Sequence, residues 1–259
     1  MKFLRTGLLL TGLLGSLLPV VSQAMTQFEA IDVAGSQRML SQRMMKDYLL
    51  VGSGVRQEKA NSERMESVER FQKQLAELKE YAEANSLESD WLAVDDIWMH
   101  FQPEVMAAIP TREMAVELLP MSKQLLTASH ALVLAIENQS GHRVADIVDT
   151  SGRQRMLSQR IAKAYAAIHW GVDADNQKLE LQQSVDEFKA ALDELKASPV
   201  TTPDIKHELD SVSVYWRFAE PGLEMGEGKE SVPGNINTTM ESILKKMNSI
   251  TAMYTRVAK

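Results

Sequence analysis

Gln37-Arg38-Met39-Leu40-Ser41-Gln42-Arg43 returns 117 residues later as Gln154-Arg155-Met156-Leu157-Ser158-Gln159-Arg160, with the same seven residues in the same order. The surroundings keep the offset. Asp32 answers to Asp149, Gly35 to Gly152, Lys46 to Lys163, Tyr48 to Tyr165 and Gly54 to Gly171. Farther on, Val68, Phe71, Leu75 and Leu78 fall on Val185, Phe188, Leu192 and Leu195. Such matching marks a tandem duplication, and its period sets the size of the repeating unit.

No proline lies between Met25 and Gln102, and the motif residues are mostly good helix formers, so both copies belong on helices. In heptad register Ile31, Arg38, Met45 and Gly52 share one position, and Ala34, Ser41 and Tyr48 share another. The second copy aligns Val148, Arg155, Ala162 and His169 against Ser151, Ser158 and Tyr165. Each first arginine thus sits in a seam where a packing helix ordinarily carries Leu or Ile. Gly35 and Gly152 each cost roughly 1 kcal/mol inside a helix relative to Ala, which suggests that close backbone approach brings a compensating gain.

If the two seams face each other, guanidinium groups about 6 Å apart repel by roughly 3 kcal/mol at an effective dielectric near 20. A small anion between them would remove that repulsion and accept their hydrogen bonds. The competing reading pairs each arginine with a carboxylate of its own bundle and makes it a register device. Arg43 and Arg160 lie about 140° further around the helix and point elsewhere, into ion pairs at the surface or behind the first arginines.

Ala34-Gly35-Ser36-Gln37-Arg38-Met39-Leu40-Ser41-Gln42-Arg43 and Ser151-Gly152-Arg153-Gln154-Arg155-Met156-Leu157-Ser158-Gln159-Arg160 resemble the signature of the PilJ-type sensor domain. That domain stands at the N-terminus of type IV pilus methyl-accepting transducers and is similar to the periplasmic domain of nitrate/nitrite sensor kinases. The resemblance covers nearly the whole chain after residue 24 and implies a four-helix bundle for each copy, with the signature on its first helix. It implies Arg38 and Arg155 as ligand-binding residues for one anion, nitrate or nitrite first, with Gly35 and Gly152 permitting close approach. Ser41, Ser158, Gln42, Gln159, Arg43 and Arg160 would support them from behind.

Taken in order, Met1 to Ala24 reads as a cleavable secretory signal, with Lys2 and Arg5, an uncharged stretch from Thr6 to Val21, and Ser22-Gln23-Ala24 as the cleavage site. A periplasmic location follows as an expectation, with no membrane span after cleavage. Two units are expected, 25–140 and 141–259. In the first, Thr26 with Glu29 reads as a capping box opening a helix to about Val51, which Gly52-Ser53-Gly54 breaks. A second helix runs from about Val55 to Ala84. A third is capped by Ser89 or Asp90, carries Trp91, Val94, Trp98, Phe101 and Val105, and is ended by Ile109-Pro110. A fourth starts near Thr111, is interrupted at Pro120 and continues to about Gln139.

No strong stop separates that helix from the second motif, so a nearly continuous helix from Met121 to about His169 is expected to join the bundles. The second unit repeats the plan, with Asp173 or Asp175 as a cap, a turn at Ser198–Pro203, a long loop from Pro221 to Gly234 and a last helix over about Asn237 to Arg256. The fold class is all-α, as two tandem four-helix bundles.

The chain has no cysteine, which excludes disulfides and lipid attachment through a thioether. Without Lys2 and Arg5, 26 basic residues stand against 35 acidic, a net charge of −9 that disfavours nucleic acid and anionic lipid. The five histidines show no metal spacing, the fifteen methionines follow helical packing positions, and no nucleophile elbow or phosphate loop is present. The expectation is a non-enzyme without a cofactor. It would be a ligand-binding or sensory protein for a small oxyanion, acting through a membrane receptor or sensor kinase, or delivering ligand to a partner. The alternative is a structural or interaction module whose motif only packs helices. The arginine pair could form within one chain or across a homodimer.

Overall fold

The computed structural model describes residues 25–139, 143–224 and 231–257, the side chains of 143–145 excepted. Among them the chain forms α1 (Gln27–Gly52), α2 (Gln57–Ala84), α3 (Glu88–Val105), α4 (Arg112–Asn138), α5 (Arg143–Trp170), α6 (Ala174–Ala197), α7 (Pro203–Leu223) and α8 (Pro233–Val257). Helices α1 to α4 pack in a ring as one four-helix bundle, α5 to α8 form a second, and α1 lies directly along α5. The expected leader at 1–24 lies outside the described residues.

The position of α1 and α5 explains their unusual sequences. Each is surrounded by neighbours, α1 by α2, α4 and α5, and α5 by α1, α6 and α8. Neither therefore shows a single apolar stripe, and α1 is buried almost without break from Ala34 to Gln42. The outer helices α2, α3, α6 and α7 bury one stripe each: Val68, Phe71, Leu75 and Leu78 on α2, and Ile205, Leu209, Val212, Trp216 and Ala219 on α7. Each bundle has the same aromatic centre, Phe71 stacked on Trp98 at 4.2 Å and Phe188 on Trp216 at 4.5 Å. Such stacks add roughly 0.5–1.5 kcal/mol beyond the area they bury.

Local signals hold at several termini. Thr26 and Glu29 form the reciprocal capping box, and Thr111 accepts from the N–H of Met114. Gly54 and Gly171 close α1 and α5 with φ of 78° and 74°, in the left-handed region that favours glycine. Tyr48 and Tyr165 each accept a backbone N–H across their bundle, from Thr111 and Val232.

Four expectations are corrected. Helix α3 opens at Glu88 after Leu87, without a side-chain cap from Ser89 or Asp90, and it closes at Val105 ahead of Ile109-Pro110. Pro120 does not interrupt α4, because buried Leu118, Leu119, Ser122 and Leu125 hold the helix on both sides of it. Likewise α7 continues through Pro221 to Leu223, and α8 opens earlier than expected, at Pro233. The continuous helix joining the bundles is instead two helices, α4 ending at Asn138 and α5 starting at Arg143. The reason is geometric: Arg38 touches both His130 and Asp149, which would be about 28 Å apart on one straight helix.

Candidate functional site

Along the α1–α5 contact the two motif arginines meet within one chain. A Cβ placed on Gly35 would lie 3.2 Å from Nη2 of Arg38 and 3.5 Å from Nη2 of Arg155. The separation of the two nitrogens therefore cannot exceed the sum of those distances. A Cβ on Gly152 would lie 3.2 Å from Nη2 of Arg155 and 3.6 Å from Nη2 of Arg38. The two glycines thus face the same pair of guanidinium groups from opposite helices. Any side chain there would press on them.

Each arginine forms its ion pair with the other repeat. Arg38 Nη2 donates to Oδ1 of Asp149 on α5 at 2.5 Å, and Arg155 Nη2 reaches Oδ1 of Asp32 on α1 at 2.7 Å. Asp32 and Asp149 are equivalent positions of the duplication, so the cluster is a reciprocal, two-fold-like exchange of carboxylates. Arg38 and Arg155 are 1% and 4% exposed, yet the Asp32 side chain keeps 40% of its surface open against 12% for Asp149.

The symmetry is broken by α4. Arg38 Nη1 lies 3.0 Å from Nδ1 of His130. A guanidinium can only donate, so Nδ1 accepts and the imidazole is the neutral Nε2–H form. Burial, with Arg38 adding to it, pulls His130 below its ordinary value. Glu137, on the same helix, is pushed up to about 7 by burial and then by Asp149. Burial likewise lowers Arg38, opposed by Asp149 and reinforced by Arg155. Two donors remain over: Nε of Arg38 and Nε of Arg155 are both buried with no acceptor.

Ser41 and Ser158 return their hydroxyls to the carbonyls of Arg38 and Arg155, and Gln42 and Gln159 donate to those serines. Gln42 also reaches the Ser122 carbonyl of α4. These residues brace the motif helices and leave the guanidinium groups to other partners. Arg43 and Arg160 have partners on outer or last helices. Arg43 pairs with Glu241 of α8 at 2.9 Å, and Arg160 with Glu187 of α6 at 2.9 Å.

The sequence reading missed the acids. Asp32 and Asp149 each stand six residues ahead of the motif arginine in both repeats, and that recurrence was the available signal. His130 carries no comparable mark. Asp47 was also missed: it is fully buried beside Lys46 at 3.1 Å, and burial first of all pushes its carboxyl up to about 7. Its equivalent in the second repeat is Ala164, so repetition gave no hint of it.

The architecture defines a tandem all-α module with a charged cluster enclosed between its two central helices. The family model for the N-terminal region of type IV pili methyl-accepting chemotaxis transducers, PilJ, matches residues 20–120 and again 137–247. The chain belongs to that family and is a sensory module of the chemotaxis-transducer kind, carrying the domain twice. Comparison with curated proteins and with solved structures finds no match. Among the described residues no helix is long and apolar enough to cross a membrane, and no group of His, Asp and Glu side chains is placed to hold a metal ion.

Proposed function

We propose that the chain is a periplasmic sensory protein for a small oxyanion, nitrate or nitrite, held between Arg38 and Arg155. The observation that supports this is the convergence of both guanidinium groups over Gly35 and Gly152, each with a buried Nε–H lacking an acceptor. A trigonal oxyanion offers acceptors to both groups at once. Binding proceeds by exchange, because the arginines already hold carboxylates. Asp32, the more exposed acid, releases Arg155 to water, and the anion takes its place. Anion and carboxylate then favour two different packings of α1 on α5, and the displacement is what a separate membrane receptor or sensor kinase reads.

A second reading rests on the reciprocal Arg–Asp pairs themselves. They neutralise both arginines, so the cluster can act as a clasp that fixes the register of α1 on α5 with no ligand. Thermal unfolding against nitrate, nitrite, sulfate and chloride at equal ionic strength separates the two. Under the sensory reading nitrate or nitrite at 100 times its dissociation constant adds roughly 2.7 kcal/mol, and Arg38→Ala with Arg155→Ala abolishes that gain. Equal midpoints in every anion would leave the clasp.

A further inference from the structure

The duplication predicts two equivalent corners where the first and last helices of opposite repeats meet, and only one of them is closed. Buried positions of α4 and α8 correspond at an offset of 118, Leu119 with Asn237, Ser122 with Met240 and Ile136 with Tyr254. In the closed corner Glu241 of α8 is gripped by Arg43 at 2.9 Å and by Lys46 at 2.5 Å, and Arg56 hydrogen-bonds Thr238. The same offsets put Lys123 in place of Glu241, Pro120 in place of Thr238 and Asp173 in place of Arg56. Every tie that closes the first corner is therefore lost in the second. Lys163 and Arg160 turn instead to Glu180 and Glu187, both on α6.

A cavity of about 520 Å³ opens there between α4 and α6, in the range that holds small molecules. Lys123, Pro120 and Asp173 all line it. Lys123 has no ion pair among the described residues, and it adds to the burial that pulls Lys163 down. Gln177 also lines the cavity, is 5% exposed, and its buried Oε1 has no hydrogen-bond partner. Pro120 has no N–H to give the Val116 carbonyl. The apolar part of the lining is Val116, Leu119 and Leu179, of which Val116 is 50% and Leu179 65% exposed.

We propose that this corner is a second ligand site, for a small organic carboxylate bearing an α-amino or α-hydroxy group and an apolar side chain. The carboxylate takes on Lys123 the place that Glu241 fills in the other corner. The α-substituent donates to Gln177 Oε1, and the side chain covers Val116, Leu119 and Leu179. This inference does not depend on the oxyanion reading, since the arginine cluster contributes none of these residues.

The test is thermal unfolding and calorimetry of the full chain with L-leucine, (S)-2-hydroxy-4-methylpentanoate, 4-methylpentanoate and leucinol. The expected result is a saturable rise in midpoint with the first two, a weaker rise with 4-methylpentanoate and none with leucinol. Lys123→Glu restores the acid of the closed corner, keeps the fold and loses the response. Gln177→Leu removes the preference for the α-substituted acids, and Arg38→Ala with Arg155→Ala leaves the response intact. No response to any of the acids overturns the proposal. So does a response that survives Lys123→Glu, or one that disappears with the two arginines.

Discussion

Arg38 of the first repeat is bound to Asp149 of the second at 2.5 Å, while Arg155 of the second is bound to Asp32 of the first at 2.7 Å. The two links are equivalent by duplication but unequal in surroundings. Asp149 is 12% exposed and Asp32 40%. Removing a partner from an enclosed ion pair strands a buried charge, at roughly 3–5 kcal/mol. Asp149→Ala is therefore expected to destabilise the chain by that amount in urea unfolding. Asp32→Ala opens Arg155 to water and is expected to cost only about 1–2 kcal/mol. Equal losses would mean that burial does not set the difference.

The glycines of α1 differ in the same testable way. On Gly52 a Cβ would come within 2.1 Å of the Trp170 ring, a rigid and buried group that would have to shift as a whole. Gly52→Ala is expected to cost at least about 1–3 kcal/mol through overpacking. On Gly35 the nearest atom is the mobile end of Arg38, at 3.2 Å. There the gain in helix propensity, about 1 kcal/mol, offsets the crowding, so Gly35→Ala keeps near-native stability while displacing the guanidinium. Circular dichroism melts of the two variants check both outcomes.

Asp47 supplies a pH prediction. Its carboxyl rises from an ordinary 3.8 to about 7, burial being the first cause and Lys46 and Arg43 opposing it. Between those values the native chain holds a proton that the unfolded chain has released, so this group's contribution falls as pH rises through the window. Burial pulls Lys46 down, but Asp47 and then Glu241 hold it above its ordinary value, so Glu241 remains as its partner when Asp47 is neutral. Burial pushes Glu241 up, but Lys46 and Arg43 hold it below its ordinary value. Asp47→Asn is accordingly expected to leave stability at pH 4 unchanged and to raise it by ~1–3 kcal/mol at pH 8. Urea unfolding across that range measures the slope, and a variant less stable at pH 8 would contradict the assignment.

Much of this architecture could be read from the residues. The duplicated heptapeptide marked the first helix of each bundle, and the stripe Trp91–Val105 marked the third. What escaped was decided by packing. Pro120 and Pro221 look like helix breaks, but their neighbours are anchored in the bundle cores and carry the helix through. The reversal between Asn138 and Arg143 has no strong local stop and is imposed by α1 packing on both α4 and α5. At the site the arginines and glycines were legible because they repeat in an apolar seam. Their carboxylates recur as well, six residues ahead, but recurrence marks the positions without saying that each acid pairs with the arginine of the other repeat. His130, Lys123 and Asp47 lie where the two repeats differ, so repetition could not point to them.

The proposed function requires one anion to touch both arginines. The direct measurement is a titration of nitrate into ¹⁵N-labelled chain, following the side-chain Nε–H signals of Arg38 and Arg155, assigned with Arg38→Lys and Arg155→Lys. Both signals are expected to move together and saturate with a single dissociation constant, chloride at equal ionic strength to move neither, and Asp32→Asn to tighten binding by removing the competing carboxylate. Signals that stay fixed through millimolar nitrate and nitrite, with both Arg–Asp pairs intact, would contradict it and leave the cluster as a clasp between α1 and α5.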